Sequence, residues 1–171
     1  MYVSNFRLGI SAVSGWFMAS GRARRCVRLA GFALLPAGVV GATDVLVDPM
    51  MSMAHWQLGG HRVNYVLGSS SLVPVSGEKP PDAAGALGLT YDFAEERRSY
   101  LSAYWNGPPI PGECHSVSFW VSGDACARRL RVSIEDAAGR WHQKHLDVID
   151  WEGWRQVSVE LGGGDGWRAL P

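Results

Sequence analysis

From residue 87 onward, apolar and polar residues alternate one for one, and this pattern limits the fold more than any other feature of the chain. Leu87, Leu89, Tyr91 and Phe93 alternate with Gly88, Thr90 and Asp92. Val117, Phe119 and Val121 alternate with Ser116, Ser118, Trp120 and Ser122, and Leu130, Val132 and Ile134 with Arg129, Arg131, Ser133 and Glu135. Val157, Val159 and Leu161 alternate with Gln156, Ser158 and Glu160. A period of two puts one set of side chains in a core and the other in water, as in a half-buried strand. No stretch after residue 43 holds a helical period. Asn106-Gly-Pro-Pro109, Asp136-Ala-Ala-Gly139 and Glu152-Gly153 have turn chemistry, and Gly123-Asp-Ala-Cys-Ala127 reads as a hairpin loop. Residues 61–67, bracketed by Gly59-Gly60 and Gly68-Ser-Ser-Ser71, read as a further short strand, and residues 74–85 as a surface loop around Pro80-Pro81. Short strands at such spacings predict an all-β chain, an antiparallel β-sandwich or jelly roll.

The opening of the chain follows a different logic. Of the 16 Lys and Arg that balance 16 Asp and Glu, Arg7, Arg22, Arg24, Arg25 and Arg28 fall in residues 1–42, which hold no acid. The apolar run Leu29-Ala-Gly-Phe-Ala-Leu-Leu-Pro-Ala-Gly-Val-Val40 follows, and then Gly41-Ala42. A basic stretch, a short apolar core and small residues are the order of a signal peptide, so residues 1–42 are expected to be a leader, with Met18 an alternative start. The run is shorter than the roughly 20 residues of a membrane span, so none is expected in the mature chain. The expected location is secreted, periplasmic or at the cell surface. The remaining body is acidic on balance and has no Lys/Arg stripe, which argues against nucleic acid as a partner. Cys114 and Cys126 flank an expected strand over 116–122 that separates them beyond disulfide reach, so both are expected to be free thiols.

Five segments in order carry a family resemblance. They are Leu87-Gly-Leu-Thr-Tyr-Asp-Phe93, Tyr104-Trp-Asn-Gly-Pro-Pro-Ile-Pro-Gly112, Val117-Ser-Phe-Trp-Val-Ser-Gly-Asp124, Leu130-Arg-Val-Ser-Ile-Glu-Asp-Ala-Ala-Gly139 and Ile149-Asp-Trp-Glu-Gly-Trp-Arg-Gln-Val157. They resemble the successive strands of galactose-binding-like jelly-roll modules, the carbohydrate-binding type found beside secreted bacterial glycosidases. The resemblance covers about residues 44–161 and implies a module over 43–171. In that family the strand ending at Leu161 is followed by a loop and closing strands, so 162–171 are expected to begin that loop, with the last strand or strands lacking. The resemblance also implies a structural calcium ion, for which Asp48 stands where such modules carry an early Asp. No other cofactor is expected.

Sugar-binding surfaces lay an aromatic ring against the C–H face of a pyranose and surround it with groups that bond the hydroxyls. The chain has 8 Trp, seven of them after the leader. Trp120 alternates onto the face opposite Phe119 and Val121, and pairing across the expected hairpin sets it opposite Arg129, with Ser118 opposite Arg131. That arrangement reads either as a binding platform or as a structural Trp–Arg stack. Tyr104, Trp105 and Asn106 precede a Pro-Pro loop and read as ligand contacts or as loop anchors. Trp151 and Trp154, around a glycine turn, read as core and corner packing. His142 and His145, three apart on a strand, are expected to face opposite ways, which argues against joint metal ligation.

Glycoside hydrolysis needs two carboxylates about 5–10 Å apart, and Glu95-Glu96, Glu135-Asp136 and Asp147, Asp150 and Glu152 are candidates by count only. No nucleophile elbow, phosphate loop or Cys/His arrangement is present. The expected function is therefore non-catalytic: a carbohydrate-binding or accessory module whose partners are a polysaccharide or oligosaccharide and a glycosidase domain. The alternatives are a structural spacer or interaction module of a cell-surface protein and, third, a glycoside hydrolase in its own right.

Overall fold

A computed structural model describes residues 8–13, 25–36, 45–48, 50, 52–61, 71–74, 77, 79–80, 83–91, 100–108, 114–125, 127–161 and 166–170. For 8–13, 25–36, 45–48, 60–61, 71–73 and 90–91 it describes the backbone alone. The described residues form twelve strands and no helix: β1 (Leu8–Val13), β2 (Arg25–Pro36), β3 (Val45–Asp48), β4 (Trp56–His61), β5 (Ser71–Pro74), β6 (Leu87–Tyr91), β7 (Tyr100–Trp105), β8 (Cys114–Asp124), β9 (Arg128–Glu135), β10 (Trp141–Ile149), β11 (Glu152–Glu160) and β12 (Trp167–Ala169). The expected all-β class is met.

Two six-stranded sheets result, one in the order β12-β10-β9-β1-β7-β4, the other in the order β11-β8-β2-β6-β5 with β3 also paired to β2. Each pairing is antiparallel. The apolar sets of the alternating segments meet in one buried cluster: Leu101, Ala103, Trp105, Leu130, Val132 and Ile134 come from the first sheet, and Leu87, Leu89, Val117, Phe119, Val121 and Val159 from the second. Each such side chain removed from water contributes roughly 1.5–3 kcal/mol, enough in aggregate to hold two sheets around one core.

Pairing differs from expectation at four places. Gly59-Gly60, expected to bracket a strand over 61–67, lie instead inside β4, where Trp56 aligns with Trp105 of β7 and both indoles are buried; residues 62–67 lie outside those described. Within the opening expected to be a leader, β1 lies between β9 and β7, and β2 between β8 and β6. Trp167 to Ala169, expected to belong to a loop, pair as β12 with His142 to Lys144 of β10.

The fourth difference matters most for the site, because β8 and β9 do not form a hairpin. β8 pairs with β11 and β2, whereas β9 pairs with β10 and β1. The connection is instead a corner that carries the chain from one sheet to the other. Ala125 (φ 49°) and Ala127 (φ 53°) are left-handed, and their amides donate to the carbonyls of Trp151 (2.8 Å) and Ile149 (2.9 Å). Gly123 permits the approach, since a Cβ there would stand 2.3 Å from the Trp151 carbonyl oxygen. Trp120 is therefore not opposite Arg129, nor Ser118 opposite Arg131. β9 does form a hairpin with β10, through the expected Asp136-Ala-Ala-Gly139 turn, where Gly139 has φ 76°.

Candidate functional site

The strongest concentration of ligand-competent side chains lies on the outer face of the first sheet. Residues level with one another across a sheet share a face. Tyr104 is level with Gly9 and Gln57, Gly9 with Ser133, and Ser133 with Gln143. One step along the strands, Ser102 is level with Ser11 and Gly59, Ser11 with Arg131, and Arg131 with His145. Tyr100 and Arg129, both level with Val13, and Trp141, level with Glu135, complete the face.

Small residues form the floor and large ones lie across it. Ser102 is fully buried and Ser133 nearly so, although both point away from the core. The Tyr104 ring covers Gly59, where a Cβ would stand 2.5 Å from Cε2 of the ring. It also meets Trp141 edge-on, with centroids 6.2 Å apart and planes at 87°. Two strands, β9 and β1, separate these residues, so the side chains lean toward each other and make a right-angled corner of two half-buried rings. Beside it, the Arg131 guanidinium lies 3.9 Å from the centre of the Tyr100 ring, a cation–π contact. With its amide oxygen turned to that fork, Gln143 accepts from Arg131 Nε (3.0 Å) and Nη1 (3.3 Å), and Ser133 Oγ lies 3.3 Å from the same amide.

Arginines dominate the electrostatics of this face. Desolvation pushes the His145 pKa below its ordinary value, and the Arg131, Arg129 and Arg168 guanidiniums lower it further. Protonated His145 is thus disfavoured, and the imidazole is poised to accept as well as donate a hydrogen bond.

The residues singled out from sequence separate into four places. Tyr104, Arg129 and Arg131 lie on this face. Trp105 is 1% exposed, its ring packed edge-on to His55 at 6.4 Å, so it is a core residue that offers no ring to a ligand. Asn106 is exposed in the loop after β7, its backbone N–H donating to the His55 carbonyl at 2.7 Å. Trp120 is half-buried on the outer face of the second sheet, level with Gln156. Trp154 lies diagonal to it there, by the register of β11 on β8. Trp151, expected in packing, is buried and donates from Nε1 to the Val121 carbonyl at 3.4 Å. The Asp48 side chain, Cys126 and Glu95-Glu96 lie outside the described residues.

Trp141, Gln143 and Tyr100 were missed in the sequence. The alternation of Trp141, Gln143 and His145 with His142 and Lys144 was a usable signal, because it puts the first three on one strand face. His142 and His145 do face opposite ways, being level with Ile134 and Arg131. Asp136, counted above as a carboxylate candidate, is occupied by its own turn: it accepts from the Ala138 and Arg140 amides (2.9 and 3.0 Å), Arg140 Nε (2.9 Å) and the His142 ring (2.9 Å). Among the described residues, no three His, Cys, Asp or Glu side chains gather closely enough to hold a metal ion. Among the described residues, no helix is long and apolar enough to cross a membrane. Compared with family models, curated proteins and solved structures, the chain matches none of them.

Proposed function

We propose that this chain is a non-catalytic carbohydrate-binding or accessory module of an exported, glycosidase-associated protein, and that the outer face of the first sheet is its glycan surface. The observation that carries this reading is the perpendicular Tyr104–Trp141 pair next to the hydrogen-bonded Arg131–Gln143 pair. A pyranose presents apolar C–H faces and a ring of hydroxyls; two aromatic rings at a right angle take the first, and a planar guanidinium and amide take the second. The two antiparallel sheets around one core support a β-sandwich, and with the strand motifs support a jelly roll of the galactose-binding-like kind. Export, expected from the opening segment, would bring this face to polysaccharides outside the cell.

The test is calorimetric titration of the full chain with a panel of soluble plant, algal and bacterial polysaccharides. At least one is expected to bind, and Tyr104→Ala and Trp141→Ala are each expected to weaken it by about tenfold, close to 1.4 kcal/mol. Absence of binding across the panel, or binding indifferent to both variants, favours the structural spacer instead.

A further inference from the structure

A second site lies where the two sheets present open edges to each other. β12 covers β10 only from His142 to Lys144, and β11 is the terminal strand of the other sheet. At the uncovered end, β10 carries a bulge: Arg131 is level with His145 and Arg129 with Val148. Leu146 and Asp147 thus both oppose Leu130. A bulge of this kind bends its strand and re-aims side chains. All three residues line a cavity of about 360 Å³, with Trp151 and Val157 among its apolar walls. That volume is at the lower end of small-molecule sites, roughly 300–1,000 Å³.

The polar lining of this cavity is cationic on balance. Lys144, Arg155 and His145 line it together with Asp147. The Arg155 guanidinium lies 4.3 Å from the centre of the Trp151 ring. Its ion pair with Asp150 is long, 3.7 Å, between side chains 55% and 75% exposed, and such a contact holds a guanidinium only weakly. Arg129, Arg131 and Arg168 add positive potential nearby, in a chain whose Lys and Arg only equal its Asp and Glu.

We propose that the cavity between β10 and β11 binds an acidic sugar, a pyranose carrying a carboxylate. The Arg155 fork, backed by the Trp151 ring, fits a carboxylate in two-point contact, Lys144 adds a second charge, the Asp147 carboxylate accepts from sugar hydroxyls, and Val157 with Leu146 packs the ring body. The proposal takes the class of ligand from the glycan reading above but rests on different residues.

The experiment titrates the full chain with trigalacturonate, its uncharged trimethyl ester and monomeric galacturonate. Trigalacturonate is expected to bind at least tenfold more tightly than the ester and to weaken as salt is raised. Arg155→Gln and Lys144→Gln are each expected to remove most of that preference. Monomer binding comparable to the trimer assigns the whole ligand to the cavity, and trimer binding alone extends it along the edge; either supports the proposal. Equal binding of acid and ester, or a preference unchanged in both variants, overturns it. Tyr104→Ala separates the two readings. If that variant loses neutral glycans but keeps the charge preference, both sites stand. Neutral binding without charge preference removes only the cavity, and charge preference without an aromatic effect removes only the outer face.

Discussion

Asp136 and His142 face each other across the β9–β10 turn, carboxylate Oδ2 to imidazole Nε2 at 2.9 Å. The same oxygen meets Arg140 Nη2 at 2.9 Å, and the carboxylate side chain is 3% exposed. The His142 contact, then the Arg140 amide, hold the Asp136 pKa far below the ordinary carboxylate range. A carboxyl depressed in the fold contributes stability that is full above its unfolded pKa and is lost as pH falls toward its folded value. The Asp136 contribution to the Tm is therefore expected to hold down to about pH 4 and to fall below it, near the ordinary Asp value. Asp136→Asn is expected to lower the Tm at pH 7 and flatten that acid limb. An unchanged limb in the variant would show that other carboxylates carry the acid sensitivity.

His145 titrates by the opposite kind of group but with the same sign in pH. Its folded pKa is below the ordinary 6.5 through desolvation and the Arg131, Arg129 and Arg168 charges. The unfolded chain then binds this proton more readily, so His145 costs stability as pH falls below about 6.5. Proton NMR of the imidazole is expected to show a midpoint below 6.5 that rises in Arg131→Met. A midpoint indifferent to that substitution would place the guanidinium elsewhere.

Gly59 is a steric handle on the aromatic corner. Alanine there would set its Cβ against the Tyr104 ring, which must swing away and part from Trp141. Overpacking of this kind costs about 1–3 kcal/mol. Gly59→Ala is expected to lower the Tm modestly and to weaken glycan binding as Tyr104→Ala does; full binding in the variant would detach Tyr104 from the site.

The opening segment offers a sharp alternative. As a leader, residues 1–42 leave the chain; as β1 and β2, they fill interior positions in both sheets. The chain from Thr43 onward is expected to lose the cooperative melt of the full chain, since each sheet is then interrupted. A cooperative melt of residues 43–171 would show that these strands are dispensable, and mass spectrometry of the exported protein reads the cut directly.

The alternation was legible because it is local. Phe119 and Val121 are core residues and Trp120 is not, as their spacing requires. Partner choice was not legible, because it was decided by a corner whose left-handed residues, Ala125 and Ala127, are alanines and carry no turn signature. The consequence reached the site: Arg129 and Arg131 went to one sheet and Trp120 to the other. Trp105 and Trp141 look alike as letters, yet Trp105 is core because it is level with Trp56, while Trp141 is level with Glu135 on the outer side. Such distinctions depend on register across distant segments, which a single strand's pattern does not contain.

The corner after β8 also bears on how the chain finds its fold. Because it sends β9 away from β8, of the strands from β7 to β12 only β9 and β10 pair with their neighbour in sequence. The others await partners from far along the chain, a topology whose large loop-closure entropy places folding in the millisecond-to-second range. The β9–β10 hairpin, tied at its tip by Asp136, is the local pairing among these six strands, and it contributes residues to both the aromatic face and the cavity.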